Sequence, residues 1–396
     1  MKKIFLIIGC LSLFVLSFSF ILIKNDFFIE TIEYTIEKNT EVYSEIYIHD
    51  FIDFDYLEII SKNDLIDTSN LGKQEIVIEY IDLDNIKNYL TIYLEIIDST
   101  NPLISSSSSY TVLQNSELTL LDSILCGDNY DAFLSCEIIG DYDTSVIDSY
   151  PLSFYAVDSS GNETTKNFTL NVVEKTNSSS SEVTGVLIDD FIDLYKTDNT
   201  KIGIDVSVWQ GEIDFSKVKE AGVEFVIFRI GYGHNYNGDI ILDSTFEYNL
   251  KNAKEAGLEV GIYFFSYSIT SKSAIEQASW VIEQLDGVEL DLPIVYDWET
   301  WSGFNNYEMS FYNLNQMASS FLEEIIDNGY DAMLYSSAYY LNNIWDIDYP
   351  TWLAHYTSET DYDGQYYIWQ QTDKGIVDGI DAFVDLNVLY VGNVYE

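Results

Sequence analysis

The residues best suited to chemistry are two carboxylates at the end of one apolar segment, Leu292-Pro-Ile-Val-Tyr-Asp297-Trp-Glu299. The proline and the β-branched residues of this segment predict a buried parallel strand. Because side chains alternate along a strand, Asp297 and Glu299 project to the same side, about 6–7 Å apart. In glycoside hydrolysis one acid protonates the leaving oxygen and the other stabilises or attacks the sugar cation. Two solvated acids at a strand end are the alternative interpretation.

The elements that must position these acids begin at Lys201, where strands start to alternate with helical segments, as in an α/β fold. Eight short strands in so few residues indicate a compact barrel, smaller than the usual (β/α)8 form. The predicted helices are Ser244–Ala256, Ser271–Leu285 and Ser310–Asn328. The predicted strands are Ile202–Val206, Phe225–Ile230, Val260–Phe265, Pro293–Asp297, Ala332–Tyr335, Thr351–Ala354, Tyr366–Trp369 and Val384–Asn387.

Functional groups of parallel barrels lie at the carboxyl ends of the strands, and those ends carry acids and aromatic residues here. The acids are Asp205, Asp297, Glu299 and Asp385. Flat aromatic faces stack on sugar rings, so this rim has the profile of a polysaccharide hydrolase site. Core packing is the alternative for the aromatic residues, and a structural ion pair is the alternative for Arg229. The candidate substrate-binding residues are Tyr263, Tyr335, Trp352, Tyr356, Trp369, Gln370 and Arg229.

The ordered motifs Asp205-x-Ser-x-Trp-Gln-Gly-x-Ile-Asp-Phe, Asp297-x-Glu299 and Val384-Asp-Leu-Asn resemble those of the Chalaropsis-type lysozymes, glycoside hydrolase family 25. The resemblance covers residues 201–396. It implies a flattened barrel of five β/α units and three further strands. It also implies N-acetylmuramidase activity, which is hydrolysis of the β-1,4 bond between N-acetylmuramic acid and N-acetylglucosamine in peptidoglycan.

The resemblance also implies a role for each acid. Glu299 matches the proton donor, and Asp297 matches the carboxylate that stabilises the oxocarbenium ion or orients the substrate acetamido group. Asp205 and Asp385 match two further acids of the groove. Repulsion and desolvation among four converging acids should raise the pKa of at least one of them. The covalent, acetamido-assisted and inverting routes all stay open, because a separation of about 6–7 Å lies between those typical of retaining and inverting enzymes.

The N-terminal region begins with two lysines and an uncharged apolar stretch, Ile4–Ile23. A helix of about 20 apolar residues spans the hydrocarbon core of a bilayer. The preceding lysines favour an N-terminus on the inner side of the membrane. We therefore expect residues 1–24 to form a signal-anchor helix, with a cleaved signal peptide as the alternative. The protein is then expected at the extracellular face of the membrane or in the cell wall, or secreted if the segment is cleaved.

Residues 29–100 and 101–174 have strand composition, and each ends in a strand-turn-strand pattern. Two β-sandwich modules are predicted, and the second resembles bacterial immunoglobulin-like modules, which are mostly spacers. A polar stretch within 175–200 predicts a linker to the barrel. Cys126 and Cys136 can form a disulfide if the chain is exported, with two free thiols as the alternative.

The overall charge excludes some partners. With 66 Asp+Glu against 18 Lys+Arg, the formal net charge is -48, which repels the phosphates of nucleic acids. The barrel segment contains no cysteine and few histidines, and no phosphate-binding glycine motif is present, so no metal or cofactor is expected. We expect a monomeric enzyme that acts on peptidoglycan. The alternative is a non-catalytic wall-binding or adhesion protein whose barrel only binds sugar.

Overall fold

The computed structural model describes residues 15–18, 32–51, 58–59, 64–81, 87–174, 184–234 and 239–392. The chain divides into two compact units. The first comprises residues 1–101 and 158–162, and the second comprises residues 102–157 and 163–396.

The first unit is built on a five-stranded sheet in the order β1-β2-β7-β6-β4. Strand β7 alternates strictly between buried and accessible positions, with Leu90, Ile92, Leu94 and Ile96 all buried. This two-residue period is the sequence pattern that predicted strands in this region. The strands are β1 (Val15–Phe18), β2 (Ile32–Glu41), β3 (Ile46–Tyr47), β4 (Glu58–Ile59), β5 (Leu65–Ile66), β6 (Gly72–Ile81) and β7 (Lys87–Ile97).

The predicted membrane-spanning segment, residues 1–24, lies mostly outside the described residues. Its described part, Val15–Phe18, is a β-strand that pairs antiparallel with β2, so these four residues are not helical as the sequence predicted. Apolar and β-branched residues suit a strand as well as a membrane helix, and length alone favoured the helix. Within the parts of the chain that the structure describes, no helix is both long and apolar enough to cross a bilayer.

The second unit begins with most of a β-module of residues 102–173, namely residues 102–157 and 163–173. Its four-stranded sheet has the order β11-β12-β13-β9, and β10 pairs separately with β8. Phe154 and Phe168 stack in its core at a centroid distance of 4.2 Å. Cys126 and Cys136 form a disulfide, which decides between the two alternatives for these residues. The strands are β8 (Leu103–Ser105), β9 (Ser109–Leu113), β10 (Leu125–Gly127), β11 (Ser135–Ile139), β12 (Ser149–Val157) and β13 (Glu163–Val173).

The rest of the second unit is a closed sheet with flanking helices. Its strands are β14 (Val186–Leu187), β15 (Thr200–Val206), β16 (Phe225–His234), β17 (Asp239–Leu242), β18 (Glu259–Phe265), β19 (Ile294–Asp297), β20 (Ala332–Ser337), β21 (Thr351–Ala354), β22 (Ile368–Ile376) and β23 (Val384–Tyr390). Its helices are α1 (Ile188–Tyr195), α2 (Phe215–Glu220), α3 (Phe246–Glu255), α4 (Ser271–Leu285), α5 (Phe311–Asp327) and α6 (Ala338–Asn343).

The barrel closes through its last strand. Seven strands run parallel in the order β15-β16-β18-β19-β20-β21-β22, and β23 pairs antiparallel with both β22 and β15. The prediction of a compact eight-stranded barrel is confirmed. Gly203 lets the ring of Phe225 fill the barrel interior, because a Cβ at this position would lie 2.4 Å from that ring. The helices α4 and α5 start at side-chain caps, Thr270 and Ser310, which are residue types preferred at this position.

The stretch predicted as a linker, residues 175–200, contains part of the barrel's core. Strand β14 pairs with β22, and α1 buries Phe191 completely among the barrel's hydrophobic residues. The helix is amphipathic, with Leu194 72% exposed on its other face. Because the helix is short and acidic, its composition resembles that of a linker and did not indicate a core role.

Truncation of Phe191 tests this assignment. Phe191→Ala should lower the free energy of unfolding by about 3–5 kcal/mol, the usual cost of removing a fully buried aromatic side chain. Leu194→Ala, in the same helix, should change it by less than about 0.5 kcal/mol because Leu194 is exposed. Urea denaturation monitored by fluorescence measures both. Equal effects of the two variants would contradict a core role for α1.

Candidate active site

The site is organised around the end of β19. Trp298 is buried on the outer side of the sheet and donates a hydrogen bond from Nε1 to the carbonyl oxygen of Ser268 at 3.1 Å. Asp297 and Glu299, one residue to either side, both line a cavity at the carboxyl end of the barrel. The alternation predicted from the sequence therefore directs both carboxylates to the same side.

A buried polar network holds this strand end in place. The Ser266 amide donates to the carbonyl oxygen of Asp297 at 2.7 Å. The Ser266 hydroxyl donates to Gln277 Oε1 at 2.7 Å and lies 2.7 Å from the Ser268 hydroxyl, which in turn contacts the Tyr296 hydroxyl at 3.2 Å. Because these groups are buried and mutually satisfied, the network restricts the position of the end of β19.

The cavity has a volume of about 260 Å³ and collects side chains from all eight barrel strands or the loops that follow them. Most of its lining is acidic or aromatic, which is the composition of a sugar-binding groove rather than a phosphate site. The lining residues are Asp205, Val206, Ser207, Trp209, Gln210, Arg229, Tyr263, Phe265, Asp297, Glu299, Tyr335, Trp352, Tyr356, Gln370 and Asp385.

Closure of the barrel brings Asp205 and Asp385 together. They are direct partners in the antiparallel ladder between β15 and β23. Oδ2 of Asp205 accepts hydrogen bonds from Gln370 Nε2 at 2.9 Å and from Asn387 Nδ2 at 2.8 Å. Burial raises the pKa of Asp205 to about 6, while these two amide donors oppose the rise.

Asp385 holds its proton more strongly. Burial and then the negative charge of Asp205 raise the pKa of Asp385 to about 9, and the protonated acid donates a hydrogen bond to Asp205. At neutral pH the two acids therefore carry a proton between them. This arrangement reduces the repulsion that would otherwise oppose burying two adjacent acids.

Three aromatic residues orient the amides that contact Asp205. The hydroxyls of Tyr335 and Tyr356 donate to Gln370 Oε1 at 2.9 and 2.8 Å, which leaves the Gln370 amide group to face Asp205. Trp352 Nε1 donates to Asn387 Oδ1 at 2.8 Å and has the same effect on Asn387. The aromatic residues of the rim thus determine amide orientation as well as cavity shape.

Asp297 and Glu299 differ in exposure. Asp297 is 5% exposed, and burial followed by the charges of Glu299 and Asp205 raises its pKa well above the usual range. Its Oδ1 has no hydrogen-bond partner among the described residues. Glu299 is accessible from the cavity, and its pKa is raised by partial burial and then by the charge of Asp205. Glu299 is therefore the more accessible of the two acids, and its raised pKa favours the protonated form relative to an ordinary glutamate.

Arg229 forms an ion pair with Asp243 rather than with an acid of the cavity. Its Nε and Nη2 lie 2.9 and 2.8 Å from Asp243 Oδ2, and that carboxylate also accepts a hydrogen bond from the Val208 amide. The alternative interpretation of Arg229, a structural ion pair at the barrel rim, describes this geometry. Its positive charge still lowers the pKa of Asp297 against the larger effect of burial.

The site sits in a segment that matches a known family. The family description "Glycosyl hydrolases family 25" matches residues 204–380. The protein YegX of Escherichia coli strain K12 is 33% identical over 201 residues, which are 49% of this chain and 71% of YegX. The chain belongs to glycosyl hydrolases family 25. The predicted resemblance is confirmed over residues 204–380.

Two further relatives have lysozyme names. The autolytic lysozyme of Clostridium acetobutylicum is 30% identical over 189 residues, which are 47% of this chain and 54% of that protein. Lysozyme M1 of Streptomyces globisporus is 32% identical over 200 residues, which are 47% of this chain and 66% of that protein. The chain spans little more than half the length of the first of these relatives.

The family 25 barrel brings together ten of the eleven residues that the sequence singled out for the site. Trp369 is the exception: it is buried beside Leu353 and donates from Nε1 to the carbonyl oxygen of His355. Core packing, the alternative for this residue, matches its position, because β22 turns the Trp369 side chain outward and Gln370 inward. The roles of the other ten stay predictions.

Sequence reasoning missed several residues of the site. Ser207, Trp209, Gln210 and Phe265 line the cavity, and Trp209 is 79% exposed at its edge. Asn387 was missed as a partner of Asp205. The motif after Asp205 and the motif around Asp385 contain four of these five residues, so their spacing was the available signal.

The raised pKa of Asp385 predicts a pH-dependent stability. In the unfolded chain Asp385 ionises at about pH 4, whereas in the fold it keeps its proton to about 9. Its contribution is therefore fully present below about pH 4 and is lost as the pH rises toward 9. Asp385→Asn should leave the melting temperature unchanged at about pH 4 and raise it by roughly 2–8 °C at about pH 9.

Thermal unfolding at pH 4, 7 and 9 measures this difference. Asp381→Asn removes an exposed acid of the same region and is the matched control. A change caused only by the lower net charge would appear in both variants. A stabilisation by Asp385→Asn that does not vary with pH would contradict the assigned proton.

Proposed function

We propose that this family 25 barrel is a lysozyme that hydrolyses the β-1,4 bond between N-acetylmuramic acid and N-acetylglucosamine in peptidoglycan. The observation that supports this most directly is the convergence of Asp205, Asp297, Glu299 and Asp385 in one cavity lined with aromatic residues. Two of its relatives, the autolytic lysozyme of C. acetobutylicum and Lysozyme M1 of S. globisporus, have names that agree with this activity.

The two acids at the end of β19, Asp297 and Glu299, have different roles in the proposed reaction. Repulsion between Asp297 and Glu299 opposes ionisation of both, so the pair retains a proton. Glu299 is accessible and donates that proton to the leaving glycosidic oxygen. Burial favours the neutral form of Asp297 in the empty cavity, whereas the developing positive charge of the sugar and the charge of Arg229 favour its carboxylate, so the shared proton leaves through Glu299 as the glycosidic bond breaks. General acid catalysis of this kind contributes about 10²–10⁴ in rate.

Asp205 and Asp385 form the opposite part of the cavity. The Gln370 and Asn387 amides and the Asp385 proton give Asp205 a fixed set of hydrogen bonds. We propose that this preorganised acid completes the negative potential that stabilises an oxocarbenium-like transition state. The covalent, acetamido-assisted and inverting routes are distinguished by the anomer released, which proton NMR of the fresh product identifies.

The place of action that we propose is the cell wall outside the membrane, where peptidoglycan is the substrate. The negative charge of the chain excludes nucleic acid as a partner. A monomeric state, immunoglobulin-like folds for the upstream modules, and export or anchoring through residues 1–24 stay predictions of the sequence.

Replacement of the proton donor tests the activity. Glu299→Gln should lower the release of reducing sugar from purified peptidoglycan by at least about 10²-fold, because glutamine has no proton to donate. Glu283→Gln, on the exposed face of α4, is the matched control and should retain full activity. Circular dichroism confirms that both variants fold. A folded Glu299→Gln variant with full activity would remove Glu299 from this role.

The bond that is cut can be identified from the products. Mass spectrometry of muropeptides after digestion by the full chain should show N-acetylmuramic acid at the new reducing end. A reducing N-acetylglucosamine would indicate a different glycosidase. Binding to peptidoglycan without any product would support the alternative, a non-catalytic wall-binding protein.

A further inference from the structure

The segment that follows Glu299 is held in contact with another part of the structure. Residues 299–312, which we name the donor segment, lead from Glu299 through a 3₁₀ turn at Phe304–Tyr307 into the first turn of α5. This segment packs against the part of the β-module, residues 102–157 and 163–173, that belongs to the same compact unit as the barrel.

Backbone hydrogen bonds join the donor segment to the module at Gly303 and at the start of α5. The Gly303 amide donates to the carbonyl oxygen of Ile124 at 2.9 Å. The amides of Phe311 and Tyr312, at the start of α5, donate to the carbonyl oxygens of Asp128 and Asn129 at 2.7 and 3.3 Å. The first amides of a helix have no partner within the helix, so the module satisfies two donors that otherwise need water or a cap.

Asn305 adds a two-point contact in the middle of the donor segment. Its Oδ1 accepts a hydrogen bond from the Leu134 amide at 2.8 Å, and its Nδ2 donates to the Leu134 carbonyl oxygen at 3.0 Å. The side chain thus pairs with one residue of the module as a neighbouring β-strand would. Both bonds are partly buried, so loss of the side chain leaves two polar groups of the module unpaired.

The apolar contact between the two parts is close. A Cβ added at Gly127 would lie 2.6 Å from the ring of Phe311 and 2.8 Å from the ring of Phe304. Leu125, two residues earlier, is buried among the hydrophobic residues of the barrel. Glycine at 127 is therefore required by space, because its backbone is not in the left-handed region that favours glycine.

Packed aromatic rings connect this contact to the end of strand β19. Phe304 is fully buried and meets Trp298 edge to face at a centroid distance of 5.9 Å. Trp298 separates Asp297 from Glu299 and packs edge to face on Trp301, whose amide donates to the carbonyl oxygen of Glu299 at 2.8 Å. Gly127, Phe304 and Trp298 form a packed series that ends at the proton donor.

Most of the module's contacts with the donor segment come from one small covalent ring. The disulfide between Cys126 and Cys136 encloses Gly127, Asp128, Asn129 and Leu134, and Ile124 lies just outside it. A cross-link of this kind restricts the conformations open to the segment that it closes.

We propose that this disulfide ring, residues 126–136, is a clamp that positions Glu299 through the donor segment, with Asn305 and Gly127 as positioning residues. The β-module is then part of the catalytic unit and not a spacer. The kinetic consequence of the clamp rests on the proposed lysozyme activity. The clamp itself concerns only how firmly residues 299–312 are held, which can be measured without activity.

Two variants open the clamp in different ways. Asn305→Ala removes the paired hydrogen bonds, and Gly127→Ala inserts a methyl group against Phe304 and Phe311. In the full chain each should lower kcat on soluble peptidoglycan fragments by about 10–100-fold, the cost of a misplacement of roughly 1 Å, while KM changes by less than about 2-fold. A general loss of folded protein would lower the active fraction but not shift the pH profile, whereas a displaced Glu299 shifts the limb that reports its proton.

Asn306→Ala is the matched control, because Asn306 is the exposed neighbour of Asn305 in the same turn. It should leave kcat, KM and the pH profile unchanged. Unchanged kcat and pH profile in both Asn305→Ala and Gly127→Ala would overturn the proposal, and so would an equal loss in Asn306→Ala.

Hydrogen–deuterium exchange tests the clamp without reference to activity. Peptides that cover residues 299–312 should exchange faster in Asn305→Ala than in the unmodified chain or in Asn306→Ala. If the unmodified chain lacks lytic activity but this exchange difference is present, the proposed function fails and the clamp stands. If activity is present and exchange is unchanged, the clamp fails.

Reduction of the disulfide provides an independent test. Dithiothreitol should lower kcat of the full chain to the level of a Cys126→Ser/Cys136→Ser double variant. The double variant should not respond to dithiothreitol, which excludes an effect through Cys10. Full activity in the folded double variant would contradict a role for the disulfide in the clamp.

Discussion

The structure depends on the burial of several carboxylic acids in one small cavity. Desolvation and mutual repulsion would oppose this arrangement if all four acids were ionised. The chain offsets the cost mainly with amide donors and retained protons, because its single arginine, Arg229, is already paired with Asp243. Asp205 accepts from two amides and from Asp385, and Asp297 lies among groups that favour its neutral form. In the proposed mechanism, the proton shared by Asp297 and Glu299 is the one available for acid catalysis.

The fold supplies this arrangement through the closure of the barrel. Only because β23 runs antiparallel between β15 and β22 does Asp385 lie opposite Asp205 and Asn387 reach the same carboxylate. Aromatic residues of the intervening strands then orient Gln370 and Asn387. The groove is therefore a set of fixed dipoles as well as a set of acids, and fixed dipoles need no reorganisation during the reaction.

The β-module and the barrel are not independent domains in this protein. Its resemblance to bacterial immunoglobulin-like modules predicted a spacer, and its fold alone would permit that role. Its hydrogen bonds to the chain after Glu299, however, make the module and the barrel one packed structure. A catalytic acid on a loop gains precision when a second, rigid element supports that loop.

The sequence by itself determined the barrel's strands, the alternation at Asp297-Trp298-Glu299 and the identity of the four acids, because these follow from local periodicity and from ordered motifs. The tertiary structure alone decided the rest. The tertiary structure placed the Trp369 side chain in the core and made α1 part of the barrel. Both placements depend on which face of the element meets a strand that is distant in the sequence. The tertiary structure also decided that Cys126 and Cys136 pair, that Arg229 binds Asp243, and that Asn305 binds Leu134. Contacts between residues so far apart along the chain leave no local pattern, because each partner looks like an ordinary polar or apolar residue in its own segment.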